Sequence, residues 1–157
     1  MWKRLAERLL LPAVSVLLLA GCGDDDTPES RLRQSIDLIQ QYAEERNLGD
    51  LMEFVSTDYQ DAQGRNWKDI RALAQLQFIR NPKIHTLKRI NLLRLDDDNH
   101  ASVRILVAVA GRPIDNASAL SGLRADLIRF DLEFQYSDRW QIVGAMWRRA
   151  QASEFLN

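Results

Sequence analysis

Cys22 is the only cysteine in the 157 residues, and it stands directly after Leu19-Ala20-Gly21. A thiol is the side chain best suited to accept an alkyl or acyl group. The small residues Ala20 and Gly21 would let an extended backbone enter a protease cleft beside it. If Cys22 is used in this way, no thiol is left for a disulfide, a metal or a catalytic nucleophile. The two histidines, His85 and His100, are well separated, and the acidic clusters Asp24 to Asp26 and Asp96 to Asp98 lack EF-hand spacing. No metal is therefore expected. Neither a Gly-rich phosphate loop nor a Gly-x-Ser-x-Gly elbow occurs, so no cofactor is expected either.

The residues before Cys22 set its context. Lys3, Arg4 and Arg8 are followed by an apolar stretch from Leu9 to Ala20, the charged, hydrophobic and small-residue order of an export signal. The uncharged run of about 14 residues is shorter than the roughly 20 needed to span a bilayer, and Pro12 interrupts it. Leu19-Ala20-Gly21-Cys22 resembles the lipobox read by prolipoprotein diacylglyceryl transferase and the lipoprotein signal peptidase. That resemblance implies a bacterial lipoprotein with residues 1–21 removed and diacylglycerol and palmitate chains on Cys22. Each buried methylene adds about 0.8 kcal/mol, so three acyl chains make a stable anchor where one would be marginal. The membrane is thus an expected partner, reached through the lipid and not by a span. Asp24 comes one place later than the Asp of the enteric rule for inner-membrane retention, which favours the outer membrane, facing the periplasm.

Loss of residues 1–21 would take the net charge from −1 to about −3, a balance that argues against nucleic acid. Residues 22–30 then read as a lipidated cysteine with a charged tether, which at 3.3 to 3.6 Å per residue holds the domain within roughly 30 Å of the lipid. One domain is expected over residues 31–150, with residues 151–157 as a C-terminal tail.

Within that domain the apolar period changes halfway. Ser30 is a plausible N-cap for a helix over Arg31 to Arg46, whose stripe is Leu32, Ile36, Ile39 and Ala43. Asn47 restarts a short helix through Leu48, Leu51, Met52 and Val55. A third helix follows Gly64-Arg65-Asn66, with Trp67, Ile70, Leu73, Ala74, Gln77 and Phe78 on one broad face, and ends at Asn81-Pro82. Period-2 runs succeed it, over Ile84 to Leu95, Ala101 to Ala110, Ala125 to Tyr136 and Trp140 to Arg149, divided by polar turns. Helices followed by adjacent strands predict an α+β domain with N-terminal helices packed on a curved antiparallel sheet.

The order of these parts resembles the NTF2-like superfamily, also described as SnoaL-like or cystatin-like. The residues that carry the likeness are Val55-Ser56-Thr57-Asp58-Tyr59, Asp61-Ala62-Gln63-Gly64-Arg65 and Trp140-Gln141-Ile142-Val143-Gly144-Ala145-Met146-Trp147. It implies a cone, with a strongly curved sheet wrapped round the helices and a pocket at the wide end. Enzymes of this fold use inward-facing Asp, His or Tyr as general acid or base, which makes Asp58, Tyr59, His85 and Asp131 the catalytic candidates. Asp131 shares a strand face with Arg129 and Glu133; if the Phe130, Leu132 and Phe134 face packs on the helices, Asp131 points outward. Tyr42, Tyr59, Trp67, Phe78 and Trp147 are candidates to line an apolar pocket. The long connection Gly111 to Gly122 could lid that pocket or meet a partner.

The fold hosts dehydratases, isomerases, binders and assembly modules alike, so activity must come from the site. Without a convincing acid–base pair, the expected function is non-enzymatic: binding of an apolar small molecule or an envelope protein. A cofactor-free lyase or isomerase, or an assembly module of an envelope complex that forms a homodimer, is the alternative.

Overall fold

The computed structural model describes residues 26–122 and 124–156. The expected export signal, Cys22 and most of the expected tether lie outside the described residues. The elements run α1 (Pro28–Glu45), α2 (Leu48–Met52), α3 (Trp67–Arg80), β1 (His85–Leu95), β2 (His100–Ala110), a 3-10 turn (Ala117–Gly122), β3 (Asp126–Tyr136), β4 (Trp140–Arg149) and α4 (Ala152–Leu156). The fold is α+β, as the sequence predicts.

The first helix starts earlier than expected, at the cost of the tether. Thr27, not Ser30, is its N-cap: Thr27 Oγ1 accepts from the Ser30 N–H, and Ser30 Oγ accepts from the Thr27 N–H, both at 3.1 Å. Pro28 fills the first helical position, where its fixed φ is preorganised and its missing N–H costs nothing. At the far end Arg46 turns left-handed with φ 57° and caps α1. Asn47 caps α2 through its side chain, and Asn66 caps α3 in a capping box with Asp69.

The strands form one antiparallel meander, β1-β2-β3-β4. Asn91 is the extra residue where the β1–β2 register shifts, and Val143 the extra residue where the β3–β4 register shifts. Such bulges bend and twist a sheet, giving it the curvature of a cone wall. The exposed edge of β4 is covered by the segment after α2, through Ser56 N to Ile142 O, Gln60 N to Val143 O and Ile142 N to Phe54 O at 2.8 to 3.1 Å.

On the concave face, Leu32 and Ile36 of α1 pack against Ala101, Val103, Ile105, Phe134 and Trp140. Polar groups lock the same helix to β1: Glu44 accepts from the Thr86 N–H and hydroxyl, and Lys88 pairs with Asp37. The Trp140 indole donates to the Pro28 carbonyl at 3.2 Å, so α1 begins beside the β3–β4 turn.

The convex face carries a second apolar cluster, which the sequence does not announce. Leu106 and Ala108 meet Leu120 of the 3-10 turn and Phe155 of α4. Within the stretch expected as a tail, Ala152–Leu156 form α4, and Phe155 is only 2% exposed. The connection after Gly111 packs on this convex side through Ile114 and Leu120, and so does not lid the concave face.

Candidate functional site

A polar constellation built round a buried carboxylate lies in the loop between α2 and α3. Asp61 Oδ1 accepts from the backbone N–H of Gln63 and of Arg65, at 2.9 and 3.0 Å. Asp61 Oδ2 accepts from Arg65 Nε at 2.7 Å and from the Tyr59 hydroxyl at 3.2 Å. Gly64, at φ 75°, supplies the left-handed turn that brings Arg65 back onto Asp61. The Asp61 side chain is fully buried.

This carboxylate is satisfied on both oxygens, and that decides its chemistry. Burial is the largest influence and pushes the Asp61 carboxyl upward. The Arg65 backbone and guanidinium, the Gln63 N–H and the Tyr59 hydroxyl together outweigh it and hold the group below its ordinary value. Tyr59 moves the other way: burial first, then the charge of Asp61 and the hydrogen bond to it, push the phenol up to about 12. At neutral pH the pair is a fixed anion and a fixed donor, neither poised to exchange a proton.

Arg65 also reaches the sheet. Its Nη2 donates to Gln63 Oε1 at 2.7 Å, and its guanidinium carbon lies 3.8 Å from the centre of the Trp147 ring. Trp147 pairs across the sheet with Phe130, ring centres 6.3 Å apart, on the face that bears Ile105. Toward the turns that face is dry, with Phe134 and Trp140 each 1% exposed. Toward the opposite end it opens: Ile128, Phe130 and Val107 are half-buried and Trp147 is 36% exposed.

The catalytic candidates do not gather at this opening. Asp58 is exposed in a turn. His85 pairs with Ala110 and lies, with Leu87, on the convex side of β1. Asp131 is on the convex side as well, half-buried between Arg104 Nε at 2.6 Å and Arg129 Nε at 2.9 Å. Burial pushes its carboxyl up most strongly, but the hydrogen bonds and charges of Arg129 and Arg104 hold it low. Tyr59 alone faces inward, and its hydroxyl is committed to Asp61.

The aromatic candidates divide similarly. Tyr59 and Trp67 share a cluster with Met52 and Val55, and the Trp67 indole donates to the Met52 carbonyl at 3.5 Å. Tyr42 stacks at a tilt on Phe54, centres 6.1 Å apart, and Phe78 is buried on α3. Only Trp147 presents its ring at the surface. The buried face of α3 is narrower than its apolar pattern suggests: Leu73, Leu76 and Ile79 are 39%, 38% and 69% exposed. Asp61 and Arg65 are the functional-looking pair that sequence reasoning missed; the available signal was an Asp four residues before an Arg, across a glycine.

No family model matches the chain, and no curated protein matches it in sequence. Solved structures do match in shape. A candidate dehydratase of the NTF2-like family from Streptomyces avermitilis superimposes with TM-score 0.63 at 12% identity, over 79% of this chain and 97% of that one. A candidate calcium/calmodulin-dependent protein kinase type II association domain from Thiobacillus denitrificans gives 0.59 at 13% identity, over 80% and 96%. Bd1075 of Bdellovibrio bacteriovorus gives 0.58 at 10% identity, over 76% of this chain but only 40% of its own length. At such identities the likeness is one of architecture: helices followed by a curved four-stranded antiparallel sheet, and this chain has the NTF2-like fold.

Proposed function

We propose that this chain is a lipid-anchored protein of the bacterial envelope, held through Cys22 and facing the periplasm, whose NTF2-like domain binds an apolar small molecule without transforming it. The observation that carries the binding reading is the gradient along one sheet face, from Phe134 at 1% exposure to the half-buried Phe130 and the 36% exposed Trp147. An apolar surface that is open at one end and continuous with the core at the other is what a buried ligand tail requires. A lyase or isomerase would need two of Asp58, Tyr59 and His85 around one substrate, and their placement gives that reading no support.

Native mass spectrometry of the protein purified from its own host tests the idea. An apolar species should copurify, and Trp147→Asp together with Phe130→Asp should release it. A chain that carries nothing and retains no added apolar compound would sink the binding reading. The anchor is tested separately: Cys22→Ser should leave the protein unlipidated and change its membrane fractionation, and unchanged fractionation with unchanged mobility would overturn it.

A further inference from the structure

The outer side of α3 carries an apolar pattern that the fold does not use. Trp67 and Ile70 pack against the cluster of Met52, Val55 and Tyr59, and Phe78 is buried further along, which accounts for the inner side of the helix. At about 100° per residue, Ala72, Leu73, Leu76 and Ile79 fall on the opposite side, and all four are exposed. An apolar stripe at helical spacing is the pattern of a covered face.

The ends of this stripe are charged, with opposite sign. Asp69, Leu73, Leu76 and Arg80 follow one another at steps of four, three and four, the spacing of a coiled-coil seam. Asp69 Oδ2 accepts from the Asn66 N–H at 2.9 Å, and its Oδ1 takes no hydrogen bond among the described residues. Neither Asp69 nor Arg80 makes an ion pair among those residues. Lys68 and Arg71, the other charged residues of the helix, lie off the seam.

The seam is its own complement when a second α3 is laid against it head to tail. Asp69 and Arg80 share a midpoint with Leu73 and Leu76. One antiparallel register therefore sets Leu73 against Leu76 of a second copy, Leu76 against Leu73, and Asp69 against Arg80 at both ends. A parallel pair would instead place like charges together at each end. A lipid surface would gain from Arg80 and lose from Asp69.

We infer that α3 is a self-association surface, pairing antiparallel with α3 of a second copy of this chain about a twofold axis at the level of Ala74 and Gln75. The pairing needs no ligand on the concave face. A helix of 14 residues is about 21 Å long. One such pair lies at the low end of specific interfaces, below about 1,200 Å² in total, so the dimer is weak in solution. Its end charges fix direction and register more than affinity.

Sedimentation velocity of the purified full chain, from micromolar to several hundred micromolar, tests this, and a reversible monomer–dimer equilibrium should appear. Leu76→Glu should weaken association by about a hundredfold, because the substitution enters the seam twice per dimer. Asp69→Lys and Arg80→Glu should each weaken it by about tenfold, through like charges at both ends. An equimolar mixture of those two variants should regain the parent's association, since each supplies the charge that the other lacks. A folding defect in either one would not be repaired by mixing. A dimer indifferent to all three substitutions, or a mixture no better associated than its components, overturns the pairing. So does a chain that stays monomeric throughout; if that monomer binds phosphatidylglycerol vesicles through the same leucines, the face belongs to a lipid surface.

Discussion

Arg65 joins two parts of the molecule that are far apart in sequence: Nε holds the buried Asp61 at 2.7 Å, and the guanidinium face covers Trp147 at 3.8 Å. The loop before α3 is thereby pinned to the strand that borders the open sheet face. A lysine could supply the charge but neither the planar stack nor the fork geometry.

The two halves of that contact should separate energetically. Trp147→Ala loses a partly exposed cation–π contact worth about 0.5–1 kcal/mol in addition to its apolar burial. Arg65→Ala should cost more than the loss of the stack, because it leaves the Asp61 carboxylate buried without its cation. Urea unfolding of both single variants and the double variant measures the coupling; additive losses would mean that Arg65 and Trp147 are independent.

Tyr59→Phe removes the hydroxyl donor to Asp61 and should destabilise by about 1 kcal/mol. The same variant carries a pH signature. An unfolded tyrosine ionises near 10 and the folded Tyr59 at about 12, so its contribution is complete below pH 10 and declines as pH rises to 12. Thermal melts across that interval should fall less steeply for the phenylalanine variant than for the parent.

On the acid side the sign reverses. Asp61 and Asp131 are held below their ordinary value, and Glu154, fixed by the Arg148 side chain and the Gln151 N–H, is lowered from 4.5 to about 2. Stability from these groups is present above the unfolded carboxyl values and is lost as pH falls through the folded ones. Melting temperature should therefore hold steady down to about pH 4.5 and drop from there toward pH 2. Glu154→Gln should flatten part of that drop, and an unchanged acid limb would remove Glu154 from the account.

Phe155→Ala tests the docking of α4. Removing a buried phenylalanine costs up to about 3–5 kcal/mol, limited here by the free energy of undocking a short terminal helix. Hydrogen exchange should accelerate at α4 and at Leu106 and Ala108 while α1 stays protected. Uniform acceleration across both faces would show that the convex cluster does not open on its own.

The parts of this protein that depend on near neighbours could be read before any fold was known. Asn47 and Asn66 cap helices by bonding backbone two or three residues away, and alternation along Ala101 to Ala110 marks a strand because successive side chains point to opposite faces. Even so, choosing Ser30 over Thr27 as the first cap missed a turn of helix, although Pro28 at the first helical position and Ser30 three residues after Thr27 are local signals for the earlier start. Tertiary structure alone decided the rest. Burial of Asp61 depends on where β4 passes, the convex placement of His85 and Asp131 on pairing register, and the burial of Phe155 on an apolar patch assembled from three strands. These are long-range contacts, and the local pattern of a strand is the same whichever face the rest of the chain later covers.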